Sequence, residues 1–172
     1  MTDLNRLALE DFKDIQKFPF VIILDSVRSM NNVGSVFRTA DAFKAEKIYL
    51  CGITATPPHR EITKTALGAD ESVAWEHQVD VLALCNNLKQ EGFVIMAVEQ
   101  VEGSLMLNDF KPISNQKYAF VFGNEVFGVS EEVVEMADFC LEIPQFGTKH
   151  SLNISVTAGV VAWDFLSKSL GE

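Results

Sequence analysis

Short, uninterrupted apolar runs recur along the chain and constrain its fold more than any other feature. They read FVIIL at 20–24, KIYLC at 47–51, FVIMAV at 93–98 and KYAFVF at 117–122. Strands buried on both faces of a parallel sheet have this continuous pattern, because helices cover both sides of such a sheet. Since segments of helical periodicity alternate with the runs, the sequence predicts an α/β domain with a parallel sheet. Ligands of such sheets bind at the carboxyl ends of the strands.

Weaker patterns predict the remaining elements of the chain. Apolar residues at helical spacing indicate an amphipathic helix over Thr2–Lys17 and another over Val79–Gln90, which Gly92 ends. The other predictions are a turn at Asn31, Asn32 and Gly34 before a helix through Phe43, an irregular connection over Gly52–Asp70, a short strand at Ser72–Trp75, a loop at Leu105–Phe110, a helix at Glu131–Ala137 capped by Ser130, and a last strand at Asp138–Ile143. Long polar connections in compact domains are often functional.

The segment 143–165, IPQFGTKHSLNISVTAGVVAWDF, predicts a polar loop followed by a helix that opens near Ser151. One apolar stripe of this helix holds Ile154, Ala158, Val161 and Phe165, and a second holds Val156, Val160 and Trp163. A helix that is apolar on nearly all sides is expected to be buried on more than one. Its first residues carry more polar groups than one N-cap requires. A capped core helix and a ligand-binding helix N-terminus therefore both remain open.

Composition limits the class of protein. A chain of 172 residues with 48% hydrophobic content suits one domain with a full core. No apolar run reaches the length of a membrane span, and the first residues are too acidic for a signal or transit peptide. Cys51, Cys85 and Cys140 lie far apart without histidines at ligand spacing. They predict reduced thiols of a cytoplasmic protein, with neither a disulfide framework nor a metal site.

The acidic charge balance restricts binding to nucleic acid. The formal net charge is −10 and the pI is about 4.7, which argues against a broad electrostatic surface for phosphates. Nucleic-acid binding would depend on a local basic patch, for which the candidates are Arg28, Arg38, His59, Arg60, Lys64 and Lys149.

Similar polar residues follow three of the predicted strands. Asn32, Gly34 and Arg38 come after Leu24; Gly123, Asn124, Glu125 and Gly128 come after Phe122; Gly147, Ser151 and Asn153 come after Ile143. Each group alone is weak, because glycine after a strand is ordinary turn chemistry and Arg38 could pair with Asp41 or Glu46. The chain has neither a GxGxxG motif opening a helix nor a P-loop, so dinucleotide and nucleotide-triphosphate sites have no support.

Together and in this order, the three groups resemble the motifs of the SpoU (TrmH-like) family of RNA ribose 2′-O-methyltransferases in the SPOUT superfamily. The matching text is NNVGSVFRTADAF, FVFGNEVFGVS and IPQFGTKHSLNISVTAGVVAW, with KTALGAD between the first two. The resemblance covers about Phe20–Leu166. It implies a short N-terminal helical extension at 1–19 and a SPOUT methyltransferase domain at 20–172, with a C-terminal trefoil knot and a homodimer.

The resemblance also implies a cofactor site for S-adenosylmethionine. Backbone groups at Gly123, Ile143 and Leu152 would hold it, near the end of the strand that finishes at Val98. The full set implied for the cofactor is Val98, Gly123, Asn124, Gly128, Ile143, Gly147, Ser151 and Leu152. Glycine suits close backbone approach to a bent cofactor, because it has no Cβ.

The implied catalytic residues are Arg38, Asn32, Glu125, Ser151 and Asn153. Because a guanidinium keeps its proton at neutral pH, Arg38 is expected to bind the target phosphate and stabilise the developing alkoxide rather than act as a base. Glu125 would hold Arg38 or substrate hydroxyls, and Asn32 would orient the Arg38 loop or the ribose. Ser151 and Asn153 would position the nucleotide. His150 is a candidate general base, with an ordinary loop histidine as the alternative.

The expected function is methylation of a ribose 2′-hydroxyl in tRNA or rRNA by a cytoplasmic homodimer, without a metal or a membrane. Two alternatives remain open at this stage. One is a cofactor-binding RNA chaperone or assembly subunit without turnover, and the other is a SPOUT enzyme that methylates an RNA base.

Overall fold

The computed structural model describes residues 9–149 and 151–171, in which helices and strands alternate along most of the chain. The strands are β1 (Phe18–Asp25), β2 (Ala45–Cys51), β3 (Trp75–Gln78), β4 (Phe93–Val98), β5 (Leu105–Met106), β6 (Lys117–Phe122) and β7 (Phe139–Glu142). The α-helices are α1 (Leu9–Asp14), α2 (Met30–Ala42), α3 (Arg60–Ala66), α4 (Ala69–Ser72), α5 (Val81–Gln90), α6 (Glu131–Met136) and α7 (Ile154–Leu170), with a 3-10 turn at Leu107–Asp109.

The seven strands form one sheet in the order β3-β2-β1-β6-β4-β7-β5, and every neighbouring pair is parallel. This confirms the α/β class and the parallel sheet. All four apolar runs are strands, and β4 and β6 have the predicted bounds. Because β6, β4 and β7 are adjacent in the sheet, their carboxyl ends lie side by side.

Each face of the sheet is covered by its own hydrophobic core. Alternate residues of β1 divide between the faces, since Phe20, Ile22 and Leu24 enter one core and Val21 and Ile23 enter the other. Helices α2, α3, α4 and α7 contribute to the first core, and α5 and α6 to the second. Burial on both faces explains why these strands are apolar without interruption.

Helix α2 begins before the predicted turn, so the turn at Asn31, Asn32 and Gly34 is wrong. The Ser29 side chain caps the helix by accepting a hydrogen bond from the N–H of Asn32. Gly34 is needed for packing, because a Cβ there would lie 2.2 Å from the carbonyl oxygen of Ile62 in α3. A motif that reads as a loop is therefore the first part of a helix.

The connection from Gly52 to Asp70 is also more regular than predicted. It contains all of α3 and the start of α4, and α3 ends at Leu67 in a left-handed conformation. The predicted strand at Ser72–Trp75 is displaced, because Ser72 ends α4 and β3 begins at Trp75. The predicted loop at Leu105–Phe110 holds the short strand β5 and the 3-10 turn.

The C-terminal third differs from the predictions mainly at the helix ends. Ser130 precedes α6, but its hydroxyl makes no capping bond; its backbone N–H instead donates to Oδ2 of the buried Asp25 at 3.0 Å. Helix α7 begins at Ile154 with Asn153 as its N-cap, so Ser151 lies in the preceding loop. The strand β7 is shorter than predicted by one residue at each end.

The two predicted stripes of α7 have different fates. Ile154, Ala158, Val161 and Phe165 are buried in the core, whereas Val156, Val160 and Trp163 are exposed. Trp163 contacts Phe43 at the end of α2, with ring centroids 6.0 Å apart. The sequence predicted burial of α7 on more than one side. Within this chain, only one of the two stripes is buried.

Of the predicted N-terminal helix over Thr2–Lys17, the part before Leu9 lies outside the described residues, and α1 accounts for the rest only as far as Asp14. Cys51, Cys85 and Cys140 are free thiols, as predicted. Burial raises the pKa of the Cys51 and Cys85 thiols to about 12. None of the helices in residues 9–149 and 151–171 has the length and apolar content needed to cross a lipid bilayer.

Candidate active site

The carboxyl ends of β4, β6 and β7 and the start of α7 surround one cavity of about 480 Å³. The polypeptide after β6 forms one wall, and the segment from Leu141 to Ile143 forms another. The loop at 151–153 and Thr157 in the first turns of α7 close the third side. Two of the three sequence motifs therefore line a single cavity, at the edge of the sheet where ligands of parallel sheets bind.

Asn124 holds the turn after β6 in one conformation. Its Oδ1 accepts hydrogen bonds from the backbone N–H groups of Val126 and Phe127 at 2.8 and 3.2 Å. Its Nδ2 donates to the carbonyl oxygen of Ser26 at 2.8 Å, and its backbone exchanges two hydrogen bonds with Gly128 at 2.9 Å. Asn124 is a structural residue of the cavity wall, because its side-chain atoms are engaged by the protein.

Two glycines of this turn are required by close packing. A Cβ at Gly123 would lie 2.0 Å from the backbone carbonyl carbon of Gly128. Gly128 has a φ of 74°, and a Cβ there would lie 2.2 Å from Oε2 of Glu99. The same Glu99 oxygen accepts the N–H of Val129 at 3.0 Å. Glu99, which comes directly after β4, therefore joins the ends of β4 and β6.

Glu125 ties the second motif to the start of the first. Its two carboxylate oxygens accept the backbone N–H groups of Arg28 and Ser29, each at 2.9 Å, and Oε1 also accepts Nδ2 of Asn32 at 3.2 Å. Partial burial raises the pKa of the Glu125 carboxyl. Together, the hydrogen bonds to its charged form have the larger effect, so the pKa lies below its ordinary value. The carboxylate is thus held by the 28–32 segment, and the expected contact of Glu125 with Arg38 is not found.

A second side-chain bridge adds the third motif. Nδ2 of Asn153 donates to Oδ1 of Asn32 at 3.1 Å, while Oδ1 of Asn153 accepts the N–H of Ser155 at 2.9 Å and caps α7. Glu125, Asn32 and Asn153 therefore form one hydrogen-bonded chain across all three motifs. Asn32 is the middle member of this chain. Arg38 lies within α2 and not in a loop, and the expected role of Asn32 toward the ribose stays a prediction.

Arg38 lies on a different cavity from the other predicted catalytic residues. This second cavity, of about 600 Å³, is bordered by α2, α3 and α7 and is lined by Ser35, Arg38, Thr39, Ala42, Phe43, Lys64, Thr65, Leu67 and Gly159. Arg38 and Lys64 are exposed there. Within residues 9–149 and 151–171, neither Arg38 nor Lys64 forms an ion pair. The alternative ion pair of Arg38 with Asp41 or Glu46 is therefore not found.

The sequence found most of the first cavity's lining. Seven of the predicted cofactor residues border it, namely Val98, Gly123, Asn124, Gly128, Ile143, Ser151 and Leu152. Gly147 does not, and a Cβ there would meet no atom within 4 Å. His150 lies outside the described residues. The part of the chain that the structure describes holds no cluster of three or more metal-ligating side chains.

The sequence missed several lining residues, among them Glu99, Val126, Phe127, Glu142 and Thr157. Glu99 had a usable signal, because it follows β4 directly and strand ends form this edge. Phe127 had a weaker one, since an aromatic residue in a polar turn is unusual. Glu142 and Thr157 carry no signal that distinguishes them from ordinary strand and helix positions.

Comparison with known proteins places this geometry in a family. A family model described as SpoU rRNA Methylase family matches residues 19–163. The chain belongs to the SpoU rRNA Methylase family. The matched residues include all three motifs recognised in the sequence.

Individual relatives agree with that membership. The chain is 32% identical over 163 residues to the 23S rRNA (guanosine-2′-O-)-methyltransferase RlmB of Neisseria meningitidis, covering 91% of this chain and 62% of that protein. It is 28% identical over 164 residues to the tRNA (guanosine(18)-2′-O)-methyltransferase of Thermus thermophilus, covering 95% and 82%. The chain thus spans less than two thirds of the length of the first of these relatives.

A solved structure shows the same fold. The TrmH/SpoU tRNA modifying enzyme of A. aeolicus superposes with a TM-score of 0.82 at 25% identity, covering 95% of this chain and 81% of that one. An AdoMet-bound rRNA methyltransferase from Sinorhizobium meliloti superposes with a TM-score of 0.79 at 26% identity, covering 89% and 58%. Both similarities extend over most of this chain.

Proposed function

We propose that this chain transfers a methyl group from S-adenosylmethionine to a ribose 2′-hydroxyl of tRNA or rRNA. The observation that carries the proposal is the hydrogen-bonded chain from Glu125 through Asn32 to Asn153, which joins all three family motifs at the rim of one cavity. The relatives support both substrate classes, because one is named for 23S rRNA and another for tRNA.

The first cavity fits this methyl donor. Glu99, Glu125 and Glu142 contribute three carboxylates to its lining, which includes no lysine or arginine. S-adenosylmethionine carries a sulfonium and an ammonium against one carboxylate, so acidic walls favour its net positive charge electrostatically. When bound, it supplies an activated methyl group on a good leaving group. The residues of the chain then have to align the acceptor hydroxyl and stabilise its charge.

The proposed roles follow from the contacts of each side chain. The hydrogen bond from Asn153 to Asn32 fixes the rim of the cavity that the acceptor ribose approaches. Ser151, exposed on the same rim, is free to position the nucleotide. Arg38 binds a phosphate of the RNA bidentately and stabilises negative charge on the attacking oxygen. In the displacement, the O–C bond forms as the S–C bond breaks, and the hydroxyl proton passes to solvent.

Arg38 lies away from the first cavity, and a homodimer would explain how it takes part in the reaction there. We propose that the exposed stripe of Val156, Val160 and Trp163 on α7 is the contact surface between two copies. On α7 this stripe lies between Thr157, which borders the first cavity, and Gly159, which borders the second. A twofold axis near the stripe can therefore bring the Arg38 of one copy toward the first cavity of the other. Leu166, farther along α7, is buried within the chain and takes no part in this surface.

Light scattering tests the dimer directly. The wild-type protein is expected to have the mass of two chains at micromolar concentration, and Trp163→Glu is expected to shift it toward one chain. A monodisperse wild-type monomer would contradict the proposal.

The trefoil knot stays a prediction beside the dimer. After β7, which lies near the edge of the sheet, the chain returns so that α7 packs on α2. This path is consistent with the knot.

The activity itself is tested with isotope-labelled S-adenosylmethionine and RNA from a strain that lacks the gene. Digestion and mass spectrometry should locate the label on a ribose, and the modified linkage should resist alkaline cleavage. Label on a base would support the alternative of base methylation. Donor binding without any transfer to that RNA would support an assembly or chaperone role.

A further inference from the structure

Two phenylalanine rings stand in solvent beside the first cavity. Phe127 is 85% exposed and lines the cavity, and Phe146 is 97% exposed next to Gln145, which also lines it. Most other aromatic side chains of the described residues are in the core, as Phe20, Phe37 and Phe120 are. Large apolar side chains exposed at the mouth of a cavity indicate a binding surface rather than a folding requirement.

The exposure of Phe127 is imposed by its turn. The Asn124 side chain accepts the N–H groups of Val126 and Phe127, and two Asn124–Gly128 backbone bonds close the turn. A turn held by four hydrogen bonds cannot relax to bury the ring. Phe127 is therefore presented outward by a rigid loop, which is how preorganised contact residues are held for a partner.

We propose that Phe127 and Phe146 stack on unpaired bases of the RNA that flank or include the target nucleotide. This inference rests on the proposed function, and it assigns the two rings as positioning residues for the acceptor strand. The acceptor ribose has to reach the first cavity through its mouth, so the bases beside it pass the two rings. Aromatic faces accept any base, because every base has a π-face.

The charge of the chain favours stacking over phosphate contacts as the main source of affinity. The sequence holds 14 Lys and Arg against 24 Asp and Glu, so electrostatic attraction to RNA is weak overall. Stacking does not depend on net charge. The polar neighbours of Phe146, which are Gln145, Thr148 and the exposed Lys149, suit a nucleotide with a base on the ring and a phosphate nearby.

Other occupants fit these rings less well. A second copy of the chain has the continuous apolar stripe of α7 available, whereas Phe146 stands alone among polar residues. The methyl donor occupies the interior of the cavity, and Phe146 is not part of its lining. Since bases within a duplex already stack on each other, the surface selects single strands or loops over paired RNA.

The test compares Phe→Leu with Phe→Trp at both positions. Leucine keeps apolar area and removes the aromatic face, while tryptophan keeps the face. The probes are a fluorescein-labelled, unstructured RNA of mixed sequence and a duplex of the same sequence, titrated with saturating S-adenosylmethionine. Phe139→Leu is the matched control, because Phe139 is a phenylalanine that is 52% exposed at the start of β7 and is not part of the cavity lining.

We expect Phe127→Leu and Phe146→Leu each to weaken single-strand binding about fivefold or more, and the double variant to combine the losses. Both tryptophan variants should stay within about twofold of wild type, and Phe139→Leu should not change the affinity. Equal binding of strand and duplex by the wild type, or leucine variants that bind like wild type, would overturn the inference. So would a loss of dimer mass, or a loss of donor affinity measured without RNA.

The same set of measurements separates this inference from the proposed function. Wild-type protein that binds single strands through the two rings but transfers no methyl group to ribose would refute the function and leave the stacking surface intact. Protein that methylates ribose in the double leucine variant at wild-type kcat/KM would refute the stacking surface and leave the function intact.

Discussion

The two cavities of this molecule are built in opposite ways. In the first, nearly every functional side chain already has a partner within the protein, as Glu125, Asn32 and Asn153 show. In the second, Arg38 and Lys64 are exposed cations without ion-pair partners among the described residues. A preorganised wall suits a small ligand that has to be held in one pose. Unpaired cations suit a partner that brings its own negative charge.

This contrast predicts that variants at the two cavities fail differently. Changes in the first should disturb folding and donor binding together, because its side chains also hold the backbone. Changes in the second should act on RNA and on turnover, with the fold intact.

The largest expected effect is at Arg38. Arg38→Ala should lower turnover about a hundredfold or more, the usual consequence of losing a preorganised electrostatic donor, and should leave the Kd for S-adenosylmethionine unchanged. Arg38→Lys should recover little, because an ammonium cannot bind phosphate as a fork. Turnover is measured at saturating RNA, with Lys111→Ala as the control for an exposed cation outside the predicted basic patch. A variant that keeps more than half of wild-type transfer would show that Arg38 is an ordinary surface residue.

The close packing of α2 on α3 gives the next effect. Gly34→Ala should lower the free energy of unfolding by about 1–3 kcal/mol, because its Cβ would overlap the carbonyl of Ile62. The control is Gly159→Ala, whose Cβ would meet no atom of this chain within 4 Å. It should stabilise α7 by up to about 1 kcal/mol. Denaturant unfolding at one fixed protein concentration measures both. If the two variants were equally stable, α2 and α3 would be able to move apart at Gly34 without a loss in the free energy of unfolding.

Glu125 links stability to pH in the first cavity. Its carboxyl has a lowered pKa when folded, so its contribution is present above the ordinary value of 4.5 and is lost as the pH falls through the lowered value. Glu125→Gln should therefore cost about 1–2 kcal/mol near neutral pH and progressively less below about pH 4. Thermal unfolding from pH 7 to pH 3 measures the difference, with the exposed Glu102→Gln as the control. A cost that does not shrink in acid would exclude the carboxylate charge as its source.

The smallest effect concerns RNA binding at the second cavity. The predicted basic patch implies a slope of about three to five in log K against log salt, and Lys64→Glu should reduce that slope by about one. His59 is engaged through its Nδ1, which caps α3 by accepting the N–H of Glu61. Lys111→Glu, in an exposed loop before β6, is the control. A wild-type slope near ten would indicate a far larger contact surface than this patch.

The agreement between sequence and structure follows the strength of each physical signal. The strands β4 and β6 were predicted to the residue, because burial on both faces leaves them almost no polar positions beyond the exposed Lys117 at the start of β6, and glycine or polar residues flank them. The start of α2 was missed. Its first turn carries Asn31, Asn32 and Gly34, which have low helix propensity, and the contact of Gly34 with α3 outweighs that preference.

The sequence by itself determined the parallel α/β class, the four long apolar strands and most of the motif residues that line the first cavity. Those properties depend on local apolar patterns and on short motifs at strand ends. Only the tertiary structure decided which motif residues face each other. From Asn32 to Arg38 an α-helix rotates by about 240° and rises about 9 Å, so one motif serves two cavities. The positions of Glu125 and Asn153 likewise depend on contacts between segments distant in sequence, which local patterns do not encode.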